Sequence, residues 1–321
     1  MTGTDTDADT DTNTDTRRVH LVDAFTGEPM AGNPAGVVPD AAGLTDDQMG
    51  AVAAELGASE TAFVRPSEAA DRQLRYFTPE REVDLCGHAT VAALRSLYDR
   101  GVVAAGASTV ETNAGVLAVD VDPDGTVWLT QSPPTVDAVD LNRGRVADAL
   151  GLEETALSEV ATDLPLARAS TGLPFLVVPV SYFEGLSAVD PDLDAVERLC
   201  RETDAEGLYA FTFDTLTGAA TLHGRAFAPL VGIPEDPVTG TASGAVAAYL
   251  HDRGALDETD PLTFEQGHFL DRPGRVLVRT GSPGEGADDA LDAPQVGGQA
   301  RVVLDGDLTV PPAAPDDIIE A

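Results

Sequence analysis

The sequence predicts an α+β fold of two pseudo-symmetric domains. A motif that occurs twice and the order of elements around each copy point to it, as does a 321-residue chain, 43% hydrophobic, long enough for two cores. The first copy reads Arg75-Tyr76-Phe77-Thr78-Pro79, then Cys86-Gly87-His88-Ala89-Thr90, and runs into Val91-Ala92-Ala93-Leu94. The second reads Arg225-Ala226-Phe227-Ala228-Pro229, then Gly240-Thr241-Ala242-Ser243, and runs into Val246-Ala247-Ala248-Tyr249-Leu250. Each is Arg-x-Phe-x-Pro, a polar turn with Gly, then an apolar helix. The copies stand about 150 residues apart, too far for a solenoid, which implies related domains whose matching loops meet at a small-molecule site.

In chain order, residues 2–16 are nearly all Thr and Asp, and residues 1–17 read as a disordered acidic tail. Residues 19–25 have strand character, residues 32–38 a tight turn and a second strand, and residues 45–57 a helix capped by Thr45. Strands at 61–64 and 72–77 precede a helix over 89–100. Segments 110–120 and 126–131 read as a hairpin around Asp124-Gly125. The N-terminal domain is expected over 18–127. The second domain, 128–310, replays the order with strands at 168–170, 175–180, 208–213 and 221–227, a helix over 193–202 and another from about Ala242. Gly32-Asn33-Pro34 thereby parallels Gly172-Leu173-Pro174, and Ala62-Phe63 parallels Ala210-Phe211. Strands at 262–266 and 275–279 flank an acidic loop at 281–295, expected to be a solvated insertion. Strands at 300–304 and 308–310, which have the first domain as a possible partner, end the fold before an acidic tail at 311–321.

Acidic residues outnumber basic ones 55 to 19, a formal charge of -36, which excludes nucleic acid and anionic membrane as expected partners. The same acidity suits a halophile's cytosol, where molar salt shortens the Debye length to about 3 Å. Cys86 and Cys200 give no disulfide framework, no apolar run has membrane-spanning length, and the first residues are not a signal peptide, so a cytoplasmic protein is expected.

The polar turns carry the chemistry. The first turn of a helix presents unpaired N–H groups that attract anions, so two facing helix starts can hold a carboxylate without any Arg; singly, Gly87 and Gly240 would be ordinary strand ends. Asp236, in Pro234-Glu235-Asp236-Pro237, either caps a helix or contacts substrate. His88 stands where the other half has Thr241, which gives a titratable group on one side only; alone it reads equally as structural. Glu60, among small and apolar residues, is either a solvated strand end or, if buried, a proton shuttle. Cys86 is a base or packing material. Asp84, Cys86 and His88 lack a second ligand pair, so no metal is expected, and the absence of a Gly-rich loop followed by Lys or a dinucleotide fingerprint gives no cofactor.

At these residues the sequence resembles the PhzF-like (phenazine biosynthesis-like) family, related in fold to diaminopimelate epimerase. The matching segments are Val22-Asp23-Ala24-Phe25-Thr26 with Gly32-Asn33-Pro34, Ser59-Glu60-Thr61-Ala62-Phe63, the first motif copy with Asp84-Leu85, Ser170-Thr171-Gly172, residues 235–242, and Glu265-Gln266-Gly267. The resemblance implies two barrel-like, mostly antiparallel sheets, each wrapped around a central helix, and a homodimer. It implies cofactor-independent isomerisation of a small carboxylate-bearing metabolite, with Glu60, His88 and Asp236 catalytic. Asn33, Gly87, Ala89, Gly172, Gly240, Thr241 and Ala242 would line the substrate site. Thr241 departs from the phenazine enzyme's serine and narrows the pocket by a methyl. Of the two cysteine bases of diaminopimelate epimerase only Cys86 has a counterpart, with Thr239 in the second place.

Overall fold

The computed structural model describes residues 15–158, 164–256, 260–280 and 292–313. The expected tails fall largely outside these residues, as does most of the acidic loop at 281–295. The first half contains β1 (Thr16–Ala24), β2 (Asn33–Val38), α1 (Asp46–Leu56), β3 (Glu60–Arg65), β4 (Arg72–Phe77), β5 (Glu82–Val83), α2 (Gly87–Asp99), β6 (Gly106–Thr112), β7 (Gly115–Val121) and β8 (Val127–Thr130). There follow β9 (Thr135–Ala138), α3 (Arg143–Leu150), α4 (Thr155–Ser158), β10 (Ala167–Ser170), β11 (Pro174–Pro179), α5 (Phe183–Ser187) and α6 (Leu193–Thr203). The second half continues with β12 (Gly207–Thr212), β13 (Leu222–Ala228), β14 (Ile233–Asp236), α7 (Gly240–Asp252), β15 (Leu262–Gln266), β16 (Gly274–Arg279), β17 (Gln295–Gly298) and β18 (Ala300–Thr309).

The pairings repeat from half to half. In the first, β1 pairs β2, β2 runs parallel to β3, β3 pairs β4, β4 runs parallel to β6, and β6, β7 and β8 follow antiparallel. In the second, β10, β11, β12, β13, β15, β16 and β17 take those same places. β8 pairs β17 and joins the two sheets edge to edge. The strand after each of these crosses over: β9 lies against β10 in the second half, and β18 against β1 in the first.

Each curved sheet encloses one helix. α2 contacts β1, β2, β3, β8 and β18, and α7 contacts β9, β10, β11, β16 and β17. Residues 89–94 of α2 and 242–250 of α7 are buried, so neither helix keeps a polar face and each needs protein all round. The outer face of the first sheet is covered by α1, which Thr45 and Gln48 start with a reciprocal capping box and Gly57 ends in the left-handed conformation. The outer face of the second is covered by α3 and α6, with Val146, Leu150, Val196 and Leu199 facing Leu176 and Leu208.

Several expectations need correction. β1 begins at Thr16, inside the expected tail, because pairing with Thr309 of β18 gives its backbone partners. Segment 110–120 is two strands: Asn113-Ala114 form a two-residue turn, closed by Thr112 Oγ1 donating to Gly115 O at 2.8 Å with Gly115 at φ 119°. The two short strands expected at 300–310 are one, since Asp305 and Gly306 pair opposite His20 and Val19. β17, β9 and helices α3 to α5 were not anticipated. The register also shifts one equivalence: Phe63 pairs Arg75 and Ala210 pairs Arg225, so Phe63 matches Ala210 and Ala62 matches Tyr209.

Candidate active site

The corrected register decides which residues of the two halves correspond. Glu60 opens β3 opposite Ala35 of β2, and the residue in the same place of the second half is Gly207, opposite Phe175. A Cβ on Gly207 would stand 2.8 Å from the Phe175 ring and 2.9 Å from Phe227 O, so that position admits no side chain. The carboxylate is therefore one-sided by construction. Glu60 is 15% exposed along its side chain, and its Oε2 is shielded from solvent with no hydrogen-bond donor on it among the described residues. His88 Nε2 lies 3.3 Å away but outside hydrogen-bond alignment, so the oxygen keeps its lone pairs.

His88 sits in the first turn of α2 and is held on both ring nitrogens. Ser59 Oγ is 3.3 Å from Nε2 and Cys86 Sγ is 3.4 Å from Nδ1. Cys86 is the N-cap residue of α2 and is buried. Burial pushes its thiol well above the ordinary value and the carboxylates of Glu60 and Asp236 push it further, while the amides of Ala89 and His88 oppose them. A thiol so placed keeps its proton and is a poor base.

Asp236 ends β14. It accepts from Asn33 Nδ2 at 2.8 Å, across the two halves, and from Thr239 Oγ1 at 2.5 Å. Burial raises its pKa; the His88 charge and these two hydrogen bonds pull it back, and Glu60 adds a small upward push. Asp236 does not cap α7, whose N-cap is Thr239. Gln266 Nε2 donates to Asp236 O at 2.8 Å and to Thr239 Oγ1 at 3.0 Å, and its Oε1 accepts from Thr239 N at 3.1 Å.

The two central helices also begin alike. Side chains of Thr45, Asn142 and Asp192 cap α1, α3 and α6, whereas neither Cys86 nor Thr239 makes a capping bond. Apart from the Cys86 sulfur near the His88 and Ala89 amides, their first turns have no side-chain cap, a condition that favours an anion. Space for one exists at Gly87, where a Cβ would meet nothing within 4 Å.

The expected substrate-binding residues divide by what surrounds them. Gly87 and Thr241 are partly exposed at the helix starts, with Ala89 and Ala242 buried behind them. Thr241 Oγ1 accepts from Gln131 Nε2 at 3.3 Å, and Thr241 O from Thr171 Oγ1 at 3.2 Å, beside the exposed turn residue Gly172. Gly240 packs on Phe25, whose ring would lie 2.9 Å from an added Cβ. Asn33 is fully engaged: its amide group donates to Asp236 and, at 3.0 Å, to Val238 O, so it is a strut between halves. Ser59, Gln131, Thr239 and Gln266 were not singled out as site residues. Gln266 lies in the Glu265-Gln266-Gly267 segment and had a signal; Gln131, at the end of a short strand, had none.

Glu60, Cys86 and His88 offer three donor atoms within 4.8 Å of one another, and Glu60 and Asp236 both act electrostatically on Cys86. The arrangement joins a proton acceptor without a donor, a neighbouring imidazole and two uncapped helix starts. It can take a proton from carbon and stabilise the resulting anion.

A family model described as phenazine biosynthesis-like protein (PhzC-PhzF) matches residues 22–306. An uncharacterized isomerase of Deinococcus radiodurans is 41% identical over 297 residues, covering 89% of this chain and 92% of its own. YfhB of Bacillus subtilis, also named an uncharacterized isomerase, is 38% identical over 267 residues, 82% of this chain and 90% of its own. A crystal structure of a PhzF-family protein of Bacillus anthracis is similar with a TM-score of 0.84 at 34% identity, over 92% of this chain and 99% of that one. A hydroxyproline epimerase from Agrobacterium vitis shares the fold alone, with a TM-score of 0.59 at 14% identity over 91% of each chain. The architecture is the α+β, epimerase-like fold.

Proposed function

The chain belongs to the phenazine biosynthesis-like family, and on that premise we propose that it is a cofactor-independent isomerase of a small carboxylate-bearing metabolite, with Glu60 as both acid and base. The observation that carries this reading is the one-sided carboxylate: among the described residues Oε2 of Glu60 has no donor, and its counterpart Gly207 has no room for a side chain.

The substrate carboxylate lies against the uncapped starts of α2 and α7. Glu60 removes a proton from carbon next to that carboxylate or its vinylogue, and the electron pair moves into the conjugated acid. Amides at Gly87-His88 and Gly240-Thr241 meet the developing charge, an interaction worth roughly 10²–10³ in rate for one well-placed donor. Glu60 then returns the proton to another carbon on the same face, because its counterpart in the second half, Gly207, has no side chain to act from the other side. Asp236, fixed by Asn33 and Thr239, orients the substrate from the second half. A cysteine base finds no support, since the Cys86 thiol is held protonated and Thr239 occupies the opposite place.

The test is deuterium uptake from heavy water, read by mass across a panel of small carboxylic acids. The wild-type chain incorporates deuterium into its substrate. Glu60→Gln binds the same acid and incorporates none; exchange surviving in that variant overturns the assignment.

A further inference from the structure

We propose that Glu60, Cys86 and His88 also form a binding site for Zn²⁺, and that its occupancy switches the isomerase off. The switch rests on the acid/base reading of Glu60; the binding does not.

Sequence spacing offered Asp84, Cys86 and His88 on one short loop, with no second pair; the structure leaves Asp84 outside the cluster. Folding adds Glu60 from β3, which completes a nitrogen, sulfur and oxygen set of the kind zinc accepts. Tetrahedral zinc with bonds of about 2.0–2.3 Å separates neighbouring donors by roughly 3.3–3.6 Å. Here His88 Nε2 is 3.3 Å from Glu60 Oε2 and 3.9 Å from Cys86 Sγ, and all three donor atoms lie within 4.8 Å of one another, so closing onto zinc requires His88 Nε2 to leave Ser59 and the Cys86 and Glu60 side chains to draw together. Oε2 is shielded and carries no hydrogen bond, which leaves the oxygen ready to coordinate. Among the described residues no Arg is paired with Glu60, and Asp236 adds a second carboxylate to the local field, so the surroundings favour a dication. As the zinc–sulfur bond forms, the thiol proton leaves to solvent. Bound zinc then holds the oxygen that would accept the substrate proton.

Cobalt(II), a spectroscopic stand-in for zinc, is titrated into the full chain under anaerobic, chelator-free conditions. One equivalent should produce a thiolate-to-cobalt charge-transfer band that zinc abolishes by displacement. Cys86→Ala and Cys86→Ser should lose the band, and Cys200→Ala should keep it. Zinc affinity should fall in Glu60→Gln by more than the roughly 10–100-fold typical of losing an outer partner. Zinc should also halt deuterium exchange reversibly, with a chelator restoring it. A missing band, or one that persists in both Cys86 variants, overturns the site. A band with undiminished exchange overturns the switch. Exchange that survives in Glu60→Gln defeats the acid/base reading and leaves the binding result standing.

Discussion

Arg225 should be the most consequential residue of the repeated motif that does not touch substrate. It is 7% exposed and grips Glu235 in a fork, Nε to Oε1 at 2.9 Å and Nη2 to Oε2 at 2.8 Å. Its Nη1 satisfies Leu186 O and Val189 O, and its guanidinium lies over Phe227 and Phe269 at 5.2 and 4.8 Å. Arg225→Met would leave a shielded carboxylate and the Val189 carbonyl without donors, while Leu186 O keeps the Val189 N–H. Breaking such a pair costs about 3–5 kcal/mol and the stranded carbonyl up to about 1–3, so a loss of roughly 4–6 kcal/mol is expected after partial rehydration. That is a large share of the roughly 5–15 kcal/mol a domain has. Arg75, its counterpart, holds Glu82 and the 72% exposed Asp46 and satisfies no buried carbonyl, so Arg75→Met should cost about 1–2 kcal/mol. Urea unfolding at one fixed potassium chloride concentration measures both. Adding Glu235→Leu to Arg225→Met should recover most of the loss, because both charges are then gone. The reasoning fails if the two single variants lie within about 1 kcal/mol of each other, or if the double variant is no better than the single. Deuterium exchange should also slow in Arg225→Met under folding conditions, since Glu235 directly precedes Asp236.

The raised pKa of Asp236 means that the folded protein holds that proton more tightly than the unfolded chain. Its contribution to stability is present below the ordinary carboxylate value and is lost as pH rises through the folded pKa. Asp236→Asn should therefore melt higher than wild type at neutral pH, with a gap that narrows in acid, while its exchange slows; a gap independent of pH contradicts this. Salt gives another prediction. All 19 basic residues are Arg, against 55 acidic ones, so self-repulsion should lower the melting temperature in dilute buffer and molar potassium chloride should restore it. A melting temperature unchanged across that range refutes the halophile reading.

Much of the fold was legible because its signals are local. Thr45 with Gln48 and Gly57 bound a helix from both ends, and Asp124-Gly125 turns a hairpin. β17 was not legible: Gln295-Val296-Gly297-Gly298 has no alternation to mark a strand, and it forms because β8 and β16 both offer partners. Similarity of residue type misaligned Ala62-Phe63 with Ala210-Phe211, and only hydrogen-bond register shows that the counterpart of Glu60 in the other half is a glycine. The site residues on the motif loops stood out through repetition. Gln131 and Ser59 did not, because their partners Thr241 and His88 lie 110 and 29 residues away, distances that no pattern within a segment encodes.

The exchange of β9 and β18 between the halves bears on how the protein is made. β1 is among the first strands to leave the ribosome, yet its edge beside Thr16–Ala24 is filled only by Ala300–Thr309, from the far end of the chain. Until those residues emerge, that edge has unsatisfied amides and carbonyls and can join a stranger's strand. The N-terminal half therefore cannot finish folding during synthesis, and a nascent chain halted before Ala300 should be held by chaperones or aggregate.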